Sequence, residues 1–126
     1  MIAGVSKVVV DVDDQDQAKA FWTDTLGFDL VQDTPYGDER WLEVRTPDKA
    51  TVLVLSPRHG EPRRAVADGL PTSSAMFYAD DLRATYEELR GRGVAFHQEP
   101  VEMGFGWWSV FMDPEGNRYA LVPRGQ

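Results

Sequence analysis

Sliding the chain against itself by 67 positions places Asp14 on Asp81, Trp41 on Trp108 and Pro47 on Pro114. A chain that repeats one supersecondary unit must give both copies the same kind of core, which narrows the fold more than composition does. The first copy reads β-α-β-β-β. "VSKVVVDV" is β-rich; "DDQDQAKAFWTDTLGF" carries Ala18, Phe21, Trp22 and Leu26 at helical spacing, with acidic cap candidates before it and Gly27 after it. "FDLVQD", a turn-rich stretch from Thr34 to Asp38, "RWLEVRT", a Pro47-Asp48 turn and "TVLVLS" follow as three strands with their connections. The second copy repeats the order with "SSAMFYA", then "DDLRATYEELRGRG" with Leu82, Tyr86 and Leu89 on one face, then "VAFHQ", "WWSVFMD" and "NRYALV". Near Gly27 and Gly93 the match slips by a single residue. The expected organisation is one domain over 1–126: module one at 1–56, a Pro/Gly/Arg-rich connector at 57–72, and module two at 73–126.

Charge and composition exclude several function classes. With 21 acids against 13 lysines and arginines the net charge is −8, so the field repels phosphate backbones and anionic membrane surfaces. The expected partner is a small neutral or cationic molecule, with no nucleic acid and no membrane. There is no cysteine, hence no disulfide, thiolate metal site or cysteine nucleophile. No apolar run approaches the ~20 residues of a membrane-spanning helix. The stretch "MIAGVSKVVVDVDD" has one cation inside its apolar run and acids after it, unlike a secretory signal, so the expected location is the cytoplasm. Glycine-rich phosphate loops, Gly-x-Ser-x-Gly elbows and Walker lysines are missing from the sequence.

The two β-α-β-β-β modules, with "AFWTDTLGF" in the first helix and "DPEGNRYAL" in the last hairpin, resemble the vicinal oxygen chelate superfamily, which includes glyoxalases, extradiol dioxygenases, fosfomycin-inactivating enzymes and bleomycin-resistance proteins. The resemblance implies an α+β fold: curled mixed sheets with helices on the convex side. Asp113-Pro114-Glu115-Gly116 also suits a type I turn on its own terms, so that motif marks a hairpin and not a chemistry. In the metal-dependent branches four side chains, usually His and Glu, come from the first and last strands of each module. The matching positions here are Lys7, Ser74, Ala120 and Leu53, or Val54 if the strand is shifted by one. None is a competent ligand. His59 lies in the connector, and His97 with Glu99 and Glu102 in "HQEPVE" reads as an exposed loop, so neither a metal nor another cofactor is expected.

Strand alternation assigns faces. Opposite the helices it puts Lys7, Val9 and Asp11; Trp41, Glu43 and Arg45; Thr51, Leu53 and Leu55; Ser74, Met76 and Tyr78; Trp108, Val110 and Met112; Arg118 and Ala120. This set is rich in aromatics and methionine, as a small-molecule site requires. The tryptophans either wall such a site or fill the interior or a subunit interface, and the charged residues either meet a ligand or pair with one another. Trp107 falls on the helix side; Phe21, Trp22, Leu82, Tyr86 and Leu89 read as core. Bleomycin-resistance proteins lack the metal ligands, are acidic, dimerise and sequester a bulky, often cationic drug between aromatic walls. Resemblance to them implies a metal-independent, non-catalytic binding protein of the antibiotic-resistance type and a homodimer; no drug-contacting residue of that branch is matched individually, and the residues expected to hold an aromatic molecule are Trp41, Trp108, Asp11, Glu43, Tyr78 and Met76 from the strand faces, with Tyr36 and Phe105 as further aromatic walls. The alternative is a glyoxalase- or dioxygenase-like enzyme with an altered metal site, with Lys7 and a carboxylate as base and acid; a third reading is an interaction module with a vestigial cleft.

Overall fold

The computed structural model describes residues 1–59 and 75–125. Contacts divide the chain into two compact units, Met1–Pro62 and Arg63–Gln126. The first contains β1 (Val8–Val12), α1 (Gln15–Ala20), a π-helical turn (Phe21–Thr25), β2 (Asp29–Tyr36), β3 (Glu39–Arg45) and β4 (Val52–Pro57). The second contains β5 (Met76–Ala79), α2 (Leu82–Gly91), β6 (Phe96–Glu102), β7 (Trp107–Met112) and β8 (Arg118–Pro123). The sheets run β1-β4-β3-β2 and β5-β8-β7-β6. In each, the first strand is parallel to the last and the remaining pairs are antiparallel. The expected α+β repeat is therefore the observed one. β4, the last strand of module one, ends at Pro57, and most of the expected connector lies outside the described residues.

Both helices start the same way. Asp14 and Asp81 are extended, and their Oδ1 atoms accept from the amides of Gln17 and Ala84, each at 3.0 Å, meeting one of the amides that a helix start leaves unpaired. They end differently. In α2 the Val94 amide donates to Leu89 O at 2.9 Å across Gly93, whose φ of 89° closes a Schellman turn. In the first unit Leu26 donates to Phe21 O and Phe28 to Trp22 O, each closure one residue wider. The π turn thus holds the extra residue that separates Asp14 from Gly27 relative to Asp81 and Gly93. The single-residue slip in the repeat has this structural cause.

A second adjustment restores the match. The pair β2–β3 shifts register once, between Leu30 and Gln32, whereas β6–β7 shifts twice, before and after Gln98. The additional bulge returns the tryptophans to equivalence: Thr34 faces Trp41 as Val101 faces Trp108. Two strands are longer than expected. β2 runs through the supposed turn-rich stretch to Tyr36, leaving only Gly37 and Asp38 to turn, and β6 continues past His97 through a buried Pro100 to Glu102.

The last hairpins differ too. Thr46 N donates to Thr51 O (2.9 Å), but Asp113 N donates to Asn117 O (3.0 Å), a loop one residue shorter. Parity beyond that loop therefore differs from the expectation. Val54 pairs with Val9 and Glu43, while Leu53 pairs with Val8 and Val44. Leu53 and Leu55 belong to the helix-facing core and not to the face of Glu43, and Val54 is the counterpart of Ala120, which pairs with Met76 and Val110.

The core of the first unit is Val10, Val12, Phe21, Trp22, Leu42, Val44, Leu53 and Leu55, all buried; that of the second includes Leu82, Tyr86, Leu89, Phe111, Tyr119 and Leu121. Each such side chain contributes about 1.5–3 kcal/mol of transfer free energy. The residues read as core on the two helices are all buried. Trp107 is not: it is 46% exposed, at the start of β7 opposite Glu102. Polar side chains fix the ends of the sheets. Gln15 Nε2 donates to Arg40 O (2.7 Å) and Leu55 O (2.9 Å), tying α1 to β3 and β4. Asp113, buried, accepts from the amides of Glu115 and Asn117, from Asn117 Nδ2 and from the Tyr119 hydroxyl. Burial and the neighbouring Asp113 carboxylate push the Tyr119 phenol above its usual range.

Candidate binding faces

In the first unit, the sheet face away from α1 carries Lys7, Val9, Asp11, Trp41, Glu43 and Val54. Trp41 and Glu43 stand two apart on β3, so both side chains leave the same side of the strand. Trp41 Nε1 donates to Glu43 Oε2 at 2.5 Å. Lys7 Nζ lies 3.6 Å from the same oxygen. Glu43 is 3% exposed and Trp41 38%, so the carboxylate lies beneath while the indole remains open to solvent. Tyr36, at the end of β2, sets its ring 6.1 Å from that of Trp41, tilted by 59°. Asp11 and Val9 are exposed beside them. Glu43 was expected to offer charge to a ligand; the structure turns it inward instead, with Asp11 left as the exposed acid of β1 on this face.

In the second unit the equivalent face carries Met76, Tyr78, Trp108, Val110, Met112, Arg118 and Ala120. Phe105 packs edge-on against Trp108, with centroids 5.7 Å apart, and is itself exposed. Met76 and Tyr78 are exposed as well, with the Arg124 guanidinium 4.5 Å over the Tyr78 ring. Val110 and Ala120 are fully buried. Arg118 Nη1 lies 3.4 Å from His97 Nε2, so His97 is a half-buried strand residue and not part of an exposed loop.

Each expected binding residue therefore falls on one of these two faces: Asp11, Tyr36, Trp41 and Glu43 in the first unit, and Met76, Tyr78, Phe105 and Trp108 in the second. At the positions that the resemblance assigns to metal ligands the chain has Lys7 just before β1, Val54, the expected alternative to Leu53, on β4, and Ala120 on β8; Ser74 lies outside the described residues. An ammonium and two alkyl groups do not make a donor set for a divalent ion. Among the described residues, no three His, Asp or Glu side chains gather closely enough to hold one. His59 is instead bonded to Glu39, at 2.6 Å. Sequence reasoning found the Trp41–Glu43 spacing but missed the bond between them; the i, i+2 placement of an indole N–H and a carboxylate was the available signal.

Comparison with known proteins places these faces in context. A family model described as Glyoxalase/Bleomycin resistance protein/Dioxygenase superfamily matches residues 4–121. Uncharacterized protein YetH of Bacillus subtilis (strain 168) is 38% identical, over 96% of this chain and 98% of its own. Among solved structures, UcmS2 is 37% identical with a TM-score of 0.77, over 96% of this chain and 98% of its own. TnmS3, an antibiotic binding protein from Streptomyces sp. CB03234, is 34% identical with a TM-score of 0.73, over 97% of this chain and 96% of its own.

Proposed function

Because the chain belongs to the glyoxalase/bleomycin resistance protein/dioxygenase superfamily, which holds both enzymes and non-enzymatic binders, we propose that it is a metal-independent binding protein that sequesters a small aromatic molecule. One observation carries this reading. Aromatic side chains, Tyr36 beside Trp41, both exposed, and an exposed Phe105 against a half-buried Trp108, stand on faces whose expected metal-ligand positions hold Lys7, Val54 and Ala120. Sequestration asks for contact area and orientation and needs no proton transfer, which suits faces built of indole, phenol and thioether groups. The likeness to an antibiotic-binding protein supports the same reading. The protein acts as a homodimer in the cytoplasm, protecting its cell by holding an antibiotic in stoichiometric complex. No described helix is long and apolar enough to cross a membrane.

Titration of the tryptophan fluorescence with a panel of planar aromatic antibiotics and quaternary aromatic amines tests the proposal, with light scattering for the dimer. Saturable quenching at micromolar concentration or below, about −8 kcal/mol, with the compound recovered intact, is the expected result. No response across the panel overturns it. So does stoichiometric iron, manganese, nickel or zinc in the purified protein, or turnover of a bound compound, each of which establishes the enzyme instead.

A further inference from the structure

Glu43 and Val110 occupy equivalent places in the two units, each two residues after the matched tryptophan and each opposite the closing strand. Only the first unit has a carboxylate there. Its Oε2 accepts the indole N–H of Trp41 at 2.5 Å, and Lys7 supplies a counter-charge 3.6 Å away. A buried carboxylate is tolerated when it is paired and hydrogen-bonded, and both conditions are met. At 3% exposure Glu43 cannot touch a molecule lying on the sheet, whereas Trp41, at 38%, can. Anything Glu43 does to binding must therefore pass through the indole.

We propose that Glu43 is a positioning residue that locks Trp41 flat along β3 and, by drawing on its N–H, makes the ring electron-rich, so that the first unit selects planar ligands whose rings are electron-poor or cationic. The physical steps are separate. A charge-assisted hydrogen bond is about twice as strong as a neutral one and fixes the ring's orientation before a ligand arrives, which lowers the ordering cost of binding. Polarising the N–H toward a carboxylate shifts electron density into the indole, and a denser π face attracts a cation or an electron-poor ring more strongly. Tyr36, tilted beside Trp41, extends the platform along the hairpin. Trp108 has Val110 in place of the acid, so the second unit's platform lacks this device. The ligand preference rests on the binding reading above; the hold on Trp41 does not.

The test uses the full chain, two probes and two readouts. Indole N–H resonances are recorded by NMR, with that of Trp41 assigned by its loss in Trp41→Phe. It is expected far downfield and slow to exchange in the wild type, shifted in Glu43→Gln, which keeps a neutral acceptor, and fast-exchanging in Glu43→Leu. Titrations with N-methylquinolinium and with neutral 2-methylnaphthalene follow. Affinity for the cation is expected to fall about threefold in Glu43→Gln and about tenfold in Glu43→Leu, and by less than twofold for the neutral probe. In the Trp41→Phe background, the Glu43→Leu change should have almost no effect. An unchanged Trp41 resonance in Glu43→Leu overturns the positioning role, as does an equal loss with and without Trp41. Equal losses for the two probes overturn the ligand preference. If the resonances behave as described and the wild type binds neither probe, the binding reading and the ligand preference fall together while the hold on Trp41 stands.

Discussion

The two units share a topology and part company at single residues, and each difference is absorbed by its own backbone device. The first unit fits an extra helical residue into a π turn, the second an extra residue into a bulge of β6, and the last hairpin of the second is one residue shorter. A one-residue change in a strand reverses every side chain beyond it unless something restores the parity. The β6 bulge does so for the strands that carry the tryptophans. The hairpin loop confines its own change by closing a residue earlier. What the units then differ in is side-chain chemistry at matched places: Glu43 against Val110, Thr46 against Asp113, Lys49 against Gly116, Arg40 against Trp107.

Exchanging residues between units breaks the comparison most severely at Glu43 and Val110. Val110 is fully buried, and the lysine that balances Glu43 is matched by Ser74 in the sequence. Val110→Glu is expected to cost about 3–5 kcal/mol in chemical denaturation, the penalty of a buried charge short of its partner. The converse Glu43→Val should cost only about 1 kcal/mol, because the groups left behind, the Lys7 ammonium and the Trp41 indole, belong to side chains 38% exposed that can turn to water. Equal effects in both directions would mean that the first unit depends on its buried acid for stability.

Asp113 and Thr46 come next. Asp113 accepts from four donors inside a buried turn. Among the described residues Thr46 Oγ1 accepts from Thr51 N alone, at 3.1 Å, while its own hydroxyl donates to Asp48 Oδ1 and, more distantly, to Thr51 O. Asp113→Ala strands several of those donors and is expected to cost about 3 kcal/mol, against about 1 kcal/mol for Thr46→Ala, both read from denaturation midpoints. The same turns give a smaller contrast. Lys49 adopts a φ of 67° where the second unit has Gly116 at 87°. Lys49→Gly should gain about 0.5 kcal/mol, the relief of a left-handed side chain less the exposed ion pair with Asp29, and Gly116→Lys should lose about 1–2 kcal/mol.

The sequence made the repeat legible because its signals are local: Asp caps, helical stripes and glycines after each helix fixed element type and order. The faces of β1, β3, β5, β7 and β8 followed by alternation alone. β4 did not, since parity cannot be carried across a loop whose length is unknown, and a repeat offset true for Trp41 and Trp108 fails past a hairpin that is one residue shorter. Trp107 was placed on the helix side by parity, where it matches Arg40, but parity says nothing about depth: at the mouth of a hairpin, with few neighbours, even a tryptophan stays half exposed. The bond from Trp41 to Glu43 joins residues two apart, yet its surroundings are Lys7, Val9 and Val54, which arrive from the segment before β1, from β1 and from β4.

The mildest contrast concerns how each helix is fastened. In the first unit Arg40 meets both oxygens of Asp33 at 2.9 and 3.0 Å and Asp16 at 2.5 Å, while Lys19 meets Asp33 at 2.9 Å, so α1, β2 and β3 are pinned by charge. The matched places in the second unit hold Pro100, Trp107, Arg83 and Tyr86, with the Arg83 guanidinium 5.5 Å over the Tyr86 ring, a contact without a carboxylate. Hydrogen bonds from Arg40, then Lys19, lower the Asp33 carboxyl from 3.8 to about 2. A carboxyl with a depressed folded-state value contributes stability that is complete above 3.8 and is lost as pH falls through about 2. With the Asp33 side chain 21% exposed, solvent screening holds the amount to a fraction of a kcal/mol up to about 1 kcal/mol. Amide hydrogen exchange measured from about pH 5 down to about pH 2 should therefore show α1 and β2 losing protection before α2 and β6, and Asp33→Asn should remove that difference by weakening the first unit at the higher pH. Loss of protection in both units together would mean that the ion pairs of Asp33 do not set the acid sensitivity of the first unit, and would break the contrast.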